Sequence, residues 1–497
     1  QPAAFRVSAR LAPARIATDS EPVQTIVIRY AIAWACLCRS CGGGMEVAFG
    51  DAGVNWEDDL GVEPELDGTR NVWNRWVAVV NEMVLLVAEE NEALDRMLRV
   101  SVTSSPDRQA SSVVEKWVDA LRVFRVGPDE TVQLPSPNGP EGAVELSPLR
   151  TLGRLSAAES LLLWHSGQRD EAVAGMVELL HTTGATLRNN GGLFGYLTSV
   201  AVHRDALENI CRIARQSDFR EADALRLGEA LASRRMTTPE GLKVALRSEF
   251  RTVFAPVVSR FPESADLDDM LIAVSTLGQV VSRSRTDRRV FGVLDEVLFN
   301  RSETLELYGR PLAEFLRSLG SSWERGAWSG RFDPLVVKWS AEFGQVRDEL
   351  LGYDGGDMPT ATVAHVRFTL GRIENPMGKL FVMVFAAPIE GVSRTAYVAE
   401  TQARAARILV ALRARLLFSQ EAPHSLLELD GVCSLNAEAD LCDPLGTGTF
   451  GYDRDRLLIW SVGRDGIDDG GIGDGRNEGN SPDLVWSLPM SLATPGG

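Results

Sequence analysis

The sequence predicts a mainly α-helical protein: an irregular array of helical hairpins, closed by a small C-terminal α+β module of one long helix and a short β-hairpin or sheet. Three observations carry that expectation. From Ser147 to about Gly352 apolar residues recur at three-to-four spacing, with scarcely any strand-like alternation. Cap-and-proline signals such as Thr238-Pro239-Glu240 open helical segments. Only near the C-terminus do two β-type runs, Leu457–Val462 and Leu484–Leu488, flank a loop rich in Gly and Asp.

A chain of 497 residues exceeds what one hydrophobic core usually organises, so two or three domains are expected. We divide it into an N-terminal segment (1–45), a helical-hairpin region (46–375, with a Pro/Gly-punctuated linker at 128–148) and a C-terminal module (376–497). The apolar fraction of 44% is that of a globular protein. A net charge of −17 argues against wholesale binding of nucleic acid or anionic membrane. Only four of the 51 basic residues are lysine, a bias we attribute to a high-GC genome rather than to arginine chemistry. No stretch reaches the roughly 18 to 20 apolar residues that span a bilayer.

Along the chain, Arg29 precedes a short apolar run, Tyr30–Leu37, and then Cys36, Cys38, Cys41 and three glycines. This reads as an export-like segment with a lipid anchor at Cys41, and places the protein in the cell envelope, periplasmic or outer-membrane-associated. Trp73, Trp76, Val80, Met83, Val84 and Val87 mark a first amphipathic helix. Helical text follows at 112–125, Ser156–Trp164, Arg169–Leu180, Leu193–Ala214, Phe219–Ser233, Thr238 to about Arg260, Asp266–Ser282, Arg289–Phe299, Thr304–Leu319 and Pro334–Leu351. Leu161 to Ala172 is similar to a tetratricopeptide-repeat turn, with Gly167 for the tight turn and Ala172 for close approach, but no second copy follows at 34 residues. Arg283, Arg285, Arg288 and Arg289 read as a solvated loop, and the five histidines lack metal-ligand spacing.

Pro388 stops or kinks the apolar element that begins at Asn375-Pro376, and Ser393–Phe418 reads as one helix with Ala405, Ile408, Leu409, Leu412 and Leu416 as its stripe. Cys433 and Cys442, nine apart across an Asn- and Asp-containing loop, are expected disulfide partners in an oxidising compartment. Asp443-Pro444-Leu445-Gly446 is a turn signal. The following Trp460-Ser-Val-Gly-Arg-Asp465-Gly-Ile-Asp468-Asp469-Gly-Gly-Ile-Gly-Asp474 puts carboxylates on a Gly-rich backbone, which a hard cation with oxygen ligands requires. It is not an EF-hand, because position twelve from Asp465 is Arg476 and from Asp468 is Gly479.

The helix around Glu400–Arg413, the Asp-Pro-x-Gly turn and the Ser-x-Gly-x-Asp-Gly loop together resemble the globular part of the major pseudopilin of type II secretion, over roughly residues 393–490. That resemblance implies a calcium site with Ser461, Asp465, Asp474, Asp483 and the Val462 carbonyl as ligands, and Asp468 or Asp469 as a substitute for one of them. No long apolar helix precedes Ser393, so filament assembly is not implied with it. The layout as a whole resembles large bacterial envelope proteins of planctomycete or myxobacterial type.

The function expected on these grounds is a non-catalytic envelope scaffold that engages other envelope proteins and carries a calcium-stabilised C-terminal loop. Two alternatives stand beside it. A glycosidase-like hydrolase would use paired carboxylates in a helical cleft, from Glu249, Asp268, Asp269 and Glu296. A component of a secretion or pilus-like assembly follows from the C-terminal resemblance alone.

Overall fold

The computed structural model describes residues 60, 70–71, 75–76, 88–99, 108–126, 130–132, 134, 147–188, 192–233, 237–260, 299–320, 332–335, 337–339, 341–342, 372–386, 388–463, 465–473 and 483–492. These residues are mainly helical, with a small antiparallel sheet near the C-terminus, as the sequence predicts. The export-like segment with Cys36, Cys38 and Cys41, the arginines at 283–289, and Asp268, Asp269, Glu296 and Asp474 lie outside the described residues.

Three helices, α1 (Ala88–Arg99), α2 (Arg108–Lys116) and α3 (Val118–Phe124), lead to a hairpin of α4 (Ser147–His165) and α5 (Arg169–Arg188). Pro148 does not belong to a linker. It occupies the first turn of α4, where its missing N–H costs no helical hydrogen bond. The hairpin closes at Gly167, whose φ of +83° turns the chain while its N–H donates to Trp164 O. Ala172 is fully buried there, so the two helices meet at close range. Within 128–148, β2 (Glu130–Thr131) pairs in parallel with β1 (Arg70–Asn71), which the sequence did not suggest.

Helix α6 (Leu193–Ala214) packs on both arms of the hairpin, and α7 (Glu221–Ala232) and α8 (Thr238–Glu249) follow. A capping box starts α8: Glu240 N donates to Thr237 Oγ1, and Thr237 N donates to Glu240 Oε2 at 2.7 Å. One π-helical turn, Phe250–Phe254, joins α8 to α9 (Ala255–Arg260). It brings Phe254 to 4.3 Å from Tyr308 and 5.1 Å from Phe385, ring centre to ring centre. Those partners sit on α10 (Arg301–Ser318) and α11 (Pro376–Ala386).

The organising element is α12 (Ile389–Ser419), 31 residues and about 45 Å long. It starts four residues earlier than the sequence suggests, because Pro388 serves as its N-cap rather than as a break further out. It runs one residue past the expected Phe418, to Ser419, and is capped by Gln420, whose φ is +58°. Twenty of its residues are buried, so it is enclosed on most sides rather than along one stripe. Alanines at 396, 399, 403, 405, 406, 411 and 414 let α6, α7 and α8 approach closely.

Two hydrophobic clusters result, and α12 passes through both. Ile389–Ala399 belongs to the cluster of α8–α11 and the first turns of α6. Ala403–Leu416 belongs to the cluster of α1–α5, α7 and the rest of α6, which also takes in Phe450, Leu457 and Ile459. Packing is therefore continuous across residues 375 and 376. Beyond α12 come two 3-10 turns, Leu426–Leu429 and Val432–Ser434, and a four-residue helix, α13 (Ala437–Asp440). The sheet follows in the order β3 (Gly451–Asp453), β4 (Leu458–Ser461), β5 (Leu484–Ser487).

Candidate functional site

The Gly/Asp loop is built from backbone N–H groups gathered by carboxylates. Asp483, at the start of β5, has no exposed surface, and its two oxygens accept from Asp469 N at 3.3 Å and Gly471 N at 2.7 Å. Asp468 Oδ1 accepts from Trp460 Nε1 and Gly470 N, both at 2.9 Å, and Asp465 Oδ1 accepts from Ile467 N at 3.1 Å. The Gly470 and Trp460 donors hold the Asp468 carboxyl below its usual range. Burial raises that of Asp483, and the nearby charges of Asp468 and Asp469 push it the same way against the two N–H donors.

Glycine is required at two points of this loop. Gly471 has a φ of +74°, and a Cβ there would stand 2.9 Å from Leu458 Cδ2 and 3.0 Å from the Trp460 ring. A Cβ on Gly473 would stand 2.1 Å from Asp483 O. The loop thus folds back over β4 and β5, with Ile467 (59% exposed) and Ile472 (67% exposed) presented outward.

A second aspartate, to which the sequence assigned only a turn, fixes the other side of β4. Asp443 is buried; its Oδ1 accepts from Ser461 Oγ at 2.8 Å and Leu445 N at 3.0 Å, and its Oδ2 from Val462 N at 3.0 Å. Its own carbonyl accepts from Gly446 N, closing the turn. Burial raises the Asp443 carboxyl, against these three donors and the Arg404 charge. Arg404 ties the segment to α12 by donating to Ala439 O and Cys442 O at 2.9 Å each, and Arg407 bonds Asp440 and Ser434 O. These two arginines are the rivets between α12 and the C-terminal turns.

Several of the expected ligand residues make bonds within the loop and turn. Ser461 donates its hydroxyl to Asp443, the Val462 N–H does the same, and Asp465, Asp468 and Asp483 shape the loop. Among the described residues, no group of three or more His, Cys, Asp or Glu is placed to hold a metal ion.

The expected disulfide is not formed: Cys433 and Cys442 are free thiols. Cys433 has a φ of +52°, which turns it into α7, where a Cβ on Gly228 would stand 2.7 Å from Cys433 O. Cys442 is exposed and donates through Sγ to Glu438 O at 3.3 Å. Of the carboxylates proposed for hydrolysis, Glu249 is buried and accepts from Leu193 N at 3.1 Å, at the positive end of α6, which is a structural position. Comparison of the chain with protein-family models, with curated proteins and with solved structures finds no match.

Proposed function

We propose that the chain is a non-catalytic scaffold of the bacterial cell envelope that engages other proteins through the loop of its C-terminal sheet. The observation that carries this reading is the pairing of an anchored loop with exposed apolar residues. Four carboxylates, Asp443, Asp465, Asp468 and Asp483, fasten the sheet and its loop by accepting N–H and O–H bonds. Ile467 and Ile472 are nevertheless left in solvent at its outer side. Two large apolar side chains on a prefolded loop give a partner contact area without an ordering cost. The envelope placement rests on Tyr30–Leu37 and Cys41 in the sequence.

The test is photo-crosslinking from position 472 of the full chain in envelope fractions, beside the double variant Ile467→Asp, Ile472→Asp probed from position 466. A discrete adduct that the double variant loses, at unchanged melting temperature, is the expected result. Identical adducts from both proteins would remove the reading.

One observation favours calcium at the same loop as a second reading: Asp468 and Asp469 lie near enough to Asp483 for their charges to raise its carboxyl. The ligand set implied by the sequence, Ser461, the Val462 carbonyl, Asp465, Asp474 and Asp483 with Asp468 or Asp469 in place of one of them, would hold the ion, and its charge would relieve that repulsion. A binding-linked rise in melting temperature in millimolar calcium over EDTA, absent in Asp468→Asn, is the result this reading requires.

A further inference from the structure

Helix α6 and the outer side of β5 enclose a groove of about 600 Å3, within the size range of small-molecule sites. Its polar lining comes from α6, as Arg204, Glu208, Arg212 and Arg215, with Gln402 from α12. Its apolar lining is Leu207 and Cys211 on one wall and Leu484, Val485, Trp486 and Pro489 on the other. Arginines eight and three residues apart on one helix fall on one face, so α6 presents them as a row.

We propose that this groove binds a small organic dianion, a dicarboxylate or a phosphomonoester carried on an apolar body. Three guanidiniums against the single Glu208 carboxylate make the lining net positive in a chain of net charge −17. Two of the three are held in place by neutral acceptors, and Arg204 also lies near the Glu208 and Asp205 carboxylates. Arg204 Nε donates to Gln402 Oε1 and Arg215 Nε to Ser487 O, each at 2.8 Å. Arg212 Nη2 reaches Glu208 Oε2 only at 3.4 Å, long for a charged pair. An anionic oxygen in the groove would give the guanidinium row shorter, charge-assisted bonds. Val485, Trp486 and Pro489, which are partly or fully exposed, supply the contact area for an organic body.

The shape of the lining decides against a bare inorganic ion, which would leave the apolar walls uncovered. It also decides against an extended peptide pairing with β5, because Arg215 already occupies the outward carbonyl of Ser487. The proposal does not need the interaction reading above: its lining is α6, β5, Gln402 and Gly473 at the end of the loop, and neither Ile467 nor Ile472.

The experiment is isothermal titration of the full chain at pH 8 with phenyl phosphate, phthalate, benzoate and benzyl alcohol. One-to-one binding of phenyl phosphate or phthalate is expected, at least about tenfold tighter than benzoate, with no heat from benzyl alcohol. Phenyl phosphate alone would assign the phosphomonoester, and phthalate alone the dicarboxylate. Arg212→Gln should weaken binding about tenfold or more. Glu208 is 64% exposed, so Glu208→Gln leaves the fold intact, and it should tighten binding by removing the one opposing charge. Dianions that bind no better than benzoate, or a Glu208→Gln protein with unchanged or weaker affinity, would overturn the proposal.

Discussion

Replacing Asp205 with Asn should stabilise the protein, and more so at high pH. Asp205 lies on α6, and its Oδ2 is shut off from solvent without a hydrogen-bond partner among the described residues. Burial pushes its carboxyl from 3.8 up to about 6, against the favourable charges of Arg150, Arg154 and Arg204. That difference corresponds to about 3 kcal/mol of penalty on the charged form. Between pH 3.8 and 6 the folded chain binds more protons than the unfolded one, so this group's contribution to stability falls as pH rises. Above pH 6 the whole penalty is in place. Asn removes the charge but brings an amide that must find its own partners, so a gain of about 1 to 3 kcal/mol at pH 8 is expected. The assay is urea unfolding of wild type and Asp205→Asn at pH 8 and pH 4.5, and the difference between the pairs cancels every other titrating group. The gap should shrink at pH 4.5. A variant less stable than wild type at pH 8 would show that the arginines more than offset the burial, and would refute the reasoning.

Two further outcomes follow from the C-terminal geometry. Asp443→Ala should cost about 3 kcal/mol in urea unfolding, because it strands the Ser461 hydroxyl and the Leu445 and Val462 N–H groups in a buried site. In peptide-mapped alkylation of the native protein, Cys442 should react quickly while Cys211 and Cys433 stay unmodified. The latter two are buried, and burial pushes both thiols up to about 11, so little thiolate is present at neutral pH.

Much of the helical architecture was legible because burial of a helix face writes a period of 3.6 into the chain. Leu193–Ala214 is a helix with the bounds its pattern suggests, and α8 opens at Thr238 as its cap signal indicates. The long C-terminal helix was recognised, but its enclosure was not. An alanine on the far side of a stripe looks the same whether it faces water or another helix. Strands β4 and β5 were visible as β-type runs, whereas β3 was hidden. Gly451 and the charged Asp453–Arg456 stretch show no strand-like alternation, and the reason for glycine there lies in the Trp460 ring, 2.0 Å from where its Cβ would be.

The site was legible only in part. The Gly/Asp composition located the loop, yet its bonds depend on register and long-range contact. Asp443 meets Ser461 across 18 residues, and Asp483 meets Gly471 across 12. Carboxylates clustered for a cation and carboxylates clustered to accept N–H bonds have the same composition. The spacing of Arg204, Arg212 and Arg215 does place them on one face of α6, but in a chain with 51 basic residues, nearly all arginine, that row does not stand out. The wall that makes it a groove comes from β5, some 270 residues away.

The most direct test of the account is amide hydrogen exchange across residues 465–473 in EDTA, for wild type and Asp483→Ala. If the loop is prefolded by its own carboxylates, the Asp469 and Gly471 amides should be protected without metal and lose that protection in the variant. If both amides exchange freely in the metal-free wild type and become protected only when calcium is added, the loop is not self-supporting, and the account of it as a prefolded interaction surface is contradicted.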